Sequence, residues 1–191
     1  MAPLHRRTLL AAAATWPFAV RADALEALRR GGCALLLRHA ATDPGVGDPP
    51  DFRLGDCGTQ RNLSAEGREQ AARIGAWFAA RGLRPSRVRS SPWCRCLDTA
   101  RIAFGRAEVY APLASFFGES QRRDAQTAAL REALAALAAQ ARGSFEVWVT
   151  HQVNISALTG EGIAMGAAVV LRGVRDGAAV RVQNLGSPNF S

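Results

Sequence analysis

An α/β fold with a mainly parallel sheet flanked by helices is predicted by three observations. Short apolar runs alternate with helical stretches along the whole chain, which is the pattern of strands crossing over through helices. The run 33–37 is apolar almost without interruption, as expected of a central strand covered on both faces. The chain of 191 residues is 48% hydrophobic and 21% charged, enough to bury the core of one such sandwich.

The elements follow in order. The pattern predicts a short helix over 23–30, stopped by Gly31 and Gly32, and then the strand 33–37. Residues 40–58 hold Pro44, Gly45, Gly47, Pro49, Pro50 and Gly55. That composition makes a long loop, and loops of such length in compact domains are often functional. Ser64 is placed to cap a helix whose first turn carries Glu66 and Glu69. Ala71, Ile74, Gly75 and Phe78 form its apolar stripe, and Gly82 ends it. A second strand is predicted over 88–90, followed by a helix with Pro92 in its first turn that runs to about Phe104. A third strand covers 107–110, an alanine-rich helix 121–142, a fourth strand 145–150 and a short helix 153–159. Residues 169–171 and 178–182 read as a terminal pair of strands turning near Asp176 and Gly177. No repeat and no second domain is expected.

Residues 1–24 read as an export leader and 25–191 as a single domain. Arg6 and Arg7 precede an apolar stretch over 8–20, and two small-x-small sites end it at Ala22 and Ala24. The stretch is shorter than the roughly 20 residues that span a bilayer, and no later segment reads as a span. The Arg6-Arg7-Thr8-Leu9-Leu10 run resembles a twin-arginine motif. The expected destination is the periplasm or the medium.

The formal charge is +8, and all 24 basic residues are arginine. No basic run with interleaved aromatics occurs, so nucleic acid is not an expected partner. A positive field does draw anionic substrates into a cleft. The four cysteines, Cys33, Cys57, Cys94 and Cys96, allow three complete pairings. An oxidising compartment would let a disulfide persist. Cys94-Arg95-Cys96 lacks the gap of a zinc site. Cys33 begins a strand, whereas the other three lie in segments near the opposite sheet edge, and Cys94 and Cys96 are poorly placed to join each other. A Cys57–Cys94 bridge is expected first, Cys57–Cys96 second, and free thiols otherwise.

Two of the three histidines end strand-like runs: His39 after Leu36-Leu37-Arg38, and His151 after Val149-Thr150. In an open α/β sheet the carboxyl ends of strands line the ligand crevice. Imidazoles delivered there beside arginine point to chemistry on an anion. Phosphate is the first candidate, because arginine's planar fork matches its oxygens.

Four segments carry a resemblance. They are Leu36-Leu37-Arg38-His39-Ala40, then Leu63-Ser64-Ala65-Glu66-Gly67-Arg68-Glu69-Gln70-Ala71, then Ser90-Ser91-Pro92-Trp93-Cys94-Arg95 leading into Asp98-Thr99-Ala100, and finally Val149-Thr150-His151-Gln152. Together, and in this order over 31–160, they resemble the histidine phosphatase superfamily, which includes the phosphoglycerate mutases. The resemblance implies a three-layer, phosphoglycerate mutase-like sandwich. It makes His39 the nucleophile that accepts the phosphoryl group, Arg38 and Arg95 the holders of the nonbridging oxygens, and His151 the residue completing the pocket. Such a reaction needs an in-line nucleophile and positive charge on the equatorial oxygens. Imidazole supplies the first and the arginines the second, so no metal or cofactor is expected. Arg61 and Thr42 are further candidates for substrate binding.

Three departures bear on mechanism. The family's Arg-His-Gly-Glu-Thr reads Arg38-His39-Ala40-Ala41-Thr42 here, which puts a methyl near the substrate. Gln60-Arg61-Asn62 stands where many members carry an aspartate. Leu113-Ala114-Ser115 stands where mutase-like members place the glutamate that acts as general acid. Glu119 is the nearest carboxylate and is assigned that role, with Asp43 and Asp124 as fallbacks. The His-Asp pair of the acid-phosphatase branch is replaced by His151-Gln152. The missing glutamate, the short 40–58 segment and the leader argue against a glycolytic mutase. The expected function is an exported, metal-independent phosphatase acting on a small phosphorylated substrate through phosphohistidine. The alternatives are a phosphotransferase or phosphoprotein phosphatase of the same superfamily, and a binding protein that keeps the pocket without turnover.

Overall fold

The structure, a computed structural model, describes residues 24–45, 47–140 and 143–190. The proposed leader falls outside the described residues up to position 23. Helix α1 (Ala24–Arg30) leads into strand β1 (Cys33–Arg38), which is buried from Cys33 to Leu37. After the loop come α2 (Ala65–Ala80), β2 (Arg87–Ser90), α3 (Cys94–Phe104) and the two-residue β3 (Glu108–Val109). The chain continues through α4 (Arg123–Ala138), β4 (Phe145–Thr150) and α5 (Gln152–Thr159) to the hairpin β5 (Ala168–Asp176) and β6 (Ala179–Asn184).

The six strands form one sheet in the order β3-β2-β4-β1-β5-β6. β3, β2, β4 and β1 run parallel, and β5 turns antiparallel to β1 and to β6. Alternate residues of the central strands face opposite layers. Leu35, Leu37, Val147 and Val149 pack with α1, α2 and α3 through Leu28, Ile74, Phe78 and Ala100. Leu36 and Trp148 pack on the other face with α4 and α5 through Leu130, Leu134 and Ile155. The result is the expected three-layer sandwich with a mainly parallel sheet.

Most element boundaries match the sequence pattern, and the differences have local causes. Pro92 lies just outside α3, because Trp93 in extended conformation forms the N-cap. The alanine-rich helix begins at Arg123, after a separate tight turn over Ser120–Arg122. The final hairpin is longer than its apolar runs indicate, since its far end carries exposed polar residues that pair through the backbone and through an Arg181–Asp176 ion pair. Gly177, at φ +61, is the first residue of the two-residue turn from Asp176 to Ala179, a position that requires positive φ.

Cys57 and Cys94 form a disulfide, and Cys33 and Cys96 are free and buried. The bridge ties the loop after β1 to the first residue of α3.

Candidate active site

β1 and β4 are parallel neighbours, with Arg38 opposite Thr150. Their next residues, His39 and His151, therefore emerge side by side at the carboxyl edge. The His39 amide donates to the Thr150 carbonyl at 3.0 Å, and the two imidazoles meet edge to face with centroids 5.6 Å apart. β2 lies on the far side of β4 and delivers Ser91, whose amide donates to Val149 at 2.9 Å. The turn that follows starts α3 and presents Arg95 from its first turn.

The backbone after His39 is held from two sides. The Ala40 amide donates to Thr99 Oγ1 at 3.0 Å, and the Ala41 amide to Gln70 Oε1 at 2.9 Å. Gly67 allows α2 to come this close, since a Cβ there would lie 1.8 Å from the Ala41 carbonyl oxygen. These contacts are the physical content of the Gly67, Gln70 and Thr99 positions in the motifs. The methyl of Ala40 is fully buried in a cluster with Leu63 and Ala71 rather than against the cavity. The expectation that it alters the substrate pocket is therefore corrected.

His39 and His151 open on a cavity of about 640 Å³ that is also lined by Arg38, Arg61, Arg95, Asp48, Trp93, Ser115 and Glu119. His39 is 3% exposed. Its Nδ1 lies 2.9 Å from the Ala40 carbonyl. A carbonyl only accepts, so Nδ1 carries the proton and Nε2 keeps its lone pair. Burial, with the surrounding Arg95, Arg38 and Arg61 charges adding to it, pushes the His39 pKa down to about 3 against one bond to Ala40 that raises it. The ring is thus a neutral nucleophile at neutral pH. His151 is also held well below its ordinary pKa, first by burial and then by the same arginines and His39. Its Nε2 is 2.7 Å from the Ser91 hydroxyl and 3.5 Å from the Cys96 thiol. Trp93 stands edge-on to the His151 ring at 5.2 Å.

The three arginines are anchored through their tips. Arg38 Nη1 donates to Gln152 Oε1 at 3.0 Å and to the Ile163 carbonyl at 2.7 Å. Gln152 thus orients Arg38. Arg61 Nη1 donates to the Gly45 carbonyl. Arg95 forms a buried, two-pronged ion pair with Asp48. The Nε groups of all three arginines are buried without a hydrogen-bond partner among the described residues. Burial lowers the pKa of Arg38 and Arg61, with a neighbouring guanidinium adding to each. Unpaired buried donors and mutually repelling cations are what an anion would satisfy.

The structure therefore brings together His39, Arg38, Arg95, His151, Arg61 and Glu119. Glu119 sits on the cavity wall, 41% exposed, with its carboxylate 2.7 Å from Arg122 Nε. Thr42 does not line the cavity. It is buried, pairs with Leu63, and turns its hydroxyl toward the Met165 sulfur at 3.7 Å. Asp43 and Asp124 are exposed and lie outside the cavity lining. Asp48 carried no signal in the sequence beyond its place in a loop of functional length.

The family model of the histidine phosphatase superfamily (branch 1) matches residues 34–115. Among solved structures, a mycobacterial glucosyl-3-phosphoglycerate phosphatase is similar over 80% of this chain and 96% of its own, at TM-score 0.58 and 19% identity. The same phosphatase in complex with VO3 gives TM-score 0.56 at 20% identity, over 80% of this chain and 96% of its own. A phosphoserine phosphatase variant from Entamoeba histolytica, in complex with phosphoserine, gives 0.55 at 13% identity, over 83% of this chain and 97% of its own. At these identities the likeness is one of fold. No curated protein sequence matches this chain.

Proposed function

We propose, from the premise that this chain belongs to the histidine phosphatase superfamily, that it hydrolyses phosphomonoesters through a phosphohistidine on His39. One observation carries the reading. A neutral imidazole that keeps its Nε2 lone pair faces a cavity where three arginines each hold an Nε unpaired among the described residues.

The steps follow from that geometry. The phosphoryl group of a small substrate binds among Arg38, Arg61 and Arg95, whose charges offset those of its nonbridging oxygens. His39 Nε2 attacks phosphorus, and the bond from phosphorus to the leaving oxygen breaks. Glu119 is the proposed donor of the proton that the leaving alkoxide takes up. Water then attacks the phosphohistidine and gives a proton to the Glu119 carboxylate, the P–N bond breaks, and inorganic phosphate leaves with His39 and Glu119 restored. The fixed guanidinium groups supply the positive charge on which this chemistry depends, and the reading assigns the reaction no metal.

We propose further that the protein works outside the cytoplasm. The arginine, apolar and small-residue order over 1–24 supports this, as does a Cys57–Cys94 bridge of the kind that persists where conditions are oxidising. Amino-terminal sequencing of protein from the native host's periplasm is expected to begin near Asp23 or Leu25. A start at Met1 or Ala2 in the cytoplasm would contradict it.

Turnover of an aryl phosphate by the purified protein tests the activity. His39→Ala is expected to abolish it, and Arg95→Ala and His151→Ala to reduce it severely. A protein that only binds phosphate esters would bind without release and defeat the reading.

A further inference from the structure

Asp48 stands out among the cavity residues. It is a carboxylate placed where an anion is expected to bind, and the reaction above gives it no part. Its Oδ1 accepts from Arg95 Nη1 at 2.6 Å and from the Arg61 amide at 3.0 Å. Its Oδ2 accepts from Arg95 Nη2 at 3.1 Å and from Trp93 Nε1 at 2.9 Å. Both partners of the ion pair are nearly sealed, with side chains 5% and 8% exposed. Although burial alone would raise its pKa, the hydrogen bonds and charge of Arg95 hold Asp48 below the usual carboxylate range. It is therefore ionised at neutral pH and unsuited to donate a proton.

A guanidinium has two bidentate edges. Asp48 takes the outer one, Nη1 with Nη2. The side edge, Nε with the second Nη2 hydrogen, has no partner among the described residues. From this division we infer that Asp48 is a positioning residue for phosphoryl transfer: it clamps Arg95 end-on so that the side edge meets the substrate phosphoryl group, and it trims the charge of the pocket to that of its ligand. The inference rests on the reading of this cavity as a phosphoryl site.

Arg38, Arg61 and Arg95 contribute three positive charges and Asp48 removes one; Glu119 on the wall is ion-paired with Arg122 outside the lining, and both buried histidines are neutral, leaving +2. A phosphomonoester near neutral pH carries a charge approaching −2. A pocket at +3 would hold the product phosphate too firmly and would leave Arg95 loose. Asp48 answers both problems with one side chain. It is also tied in place, because Trp93 next to Cys94 and the loop ending at Cys57 are joined by the disulfide.

A double-mutant cycle between Asp48→Asn and Arg95→Lys tests the inference, with aryl phosphate turnover and calorimetric binding of inorganic phosphate as readouts. Asn keeps one oxygen acceptor, enough for either the Arg61 amide or Trp93 Nε1, and removes the charge. Asp48→Asn is expected to lower kcat by about 10²-fold, the scale of a small misplacement at a reacting centre, while phosphate binds as tightly as in the wild type or more so. In the Arg95→Lys background the same change is expected to cost less than about 3-fold, because Asp48 acts through Arg95. An unchanged or raised kcat would instead make Asp48 an obstacle to substrate and overturn the inference. So would parallel losses of kcat and phosphate affinity, or additive losses across the cycle. If Asp48→Asn does not fold, Asp48→Glu keeps the charge but displaces the carboxylate, and the same split between kcat and affinity is expected. Phosphate binding needs no turnover. A wild type that binds phosphate but fails to hydrolyse esters would end the hydrolase reading, and the calorimetric comparison of Asp48→Asn would still decide the role of Asp48.

Discussion

His39 and His151 stand edge to face, 5.6 Å between centroids, because β1 and β4 run parallel with Arg38 opposite Thr150. Two residues 112 positions apart are thus set by backbone hydrogen bonds rather than by a flexible loop. Such a pair costs stability when either ring is charged, since burial removes water from the cation.

That cost predicts a pH dependence of stability. The folded His39 pKa is depressed from 6.5 to about 3, and that of His151 is depressed too, in both cases first by burial. Between these values the unfolded chain binds protons that the folded chain does not, so stability is fully present above the unfolded pKa and falls as pH falls. Each histidine contributes up to about 1.4 kcal/mol per pH unit in this window. Asp48 changes stability in the same direction only at lower pH, below its ordinary 3.8. Denaturant unfolding of the folded domain at pH 6 and pH 5 is expected to show a loss of about 2 kcal/mol, and His39→Asn to halve it. A flat profile would show that the rings are hydrated.

Glu119 gives the second prediction. If it protonates the leaving group, Glu119→Gln slows alkyl phosphates by about 10²-fold or more, the scale of general acid catalysis. Aryl phosphates, whose leaving groups need little protonation, slow far less. The ratio of kcat/KM for the two substrate types is the measurement. Equal loss on both, or none, removes Glu119 from this role.

The disulfide gives the third. Cys57 and Cys94 are 37 residues apart, and closing a loop of that size stabilises by about 4 kcal/mol in the chain-entropy view. Reduction is expected to lower stability by up to that amount and to lower activity as well, because the same loop carries Asp48 to Arg95. Thiol titration of the denatured, unreduced protein from an oxidising compartment is expected to find two free thiols, those of Cys33 and Cys96. Four would rule the bridge out.

Much of this was legible in the sequence where local chemistry and order along the chain decide. The apolar run ending in Arg38 and His39, the Ser64 cap and the glycine of α2 each fix a local structure that the fold then uses. Thr42 was misplaced because its proximity to His39 in sequence says nothing of which way a loop residue turns, and it turns to Met165. Asp48 went unread for the opposite reason. Its partners Arg61, Trp93 and Arg95 lie 13, 45 and 47 residues away, and only the folding of the loop over the start of α3 brings them together. The family position of Ala40 puts its methyl near substrate, whereas its surroundings are set by Leu63 and Ala71 from beyond the loop.

The central claim is that His39 carries the phosphoryl group. Rapid quench of the protein with phosphate-labelled substrate, followed by peptide mapping, tests it most directly. The account predicts label on the peptide containing His39, labile in acid and stable in base, that forms before free phosphate and is absent from His39→Ala. Turnover without any trapped label, together with full activity in His39→Ala, would contradict it.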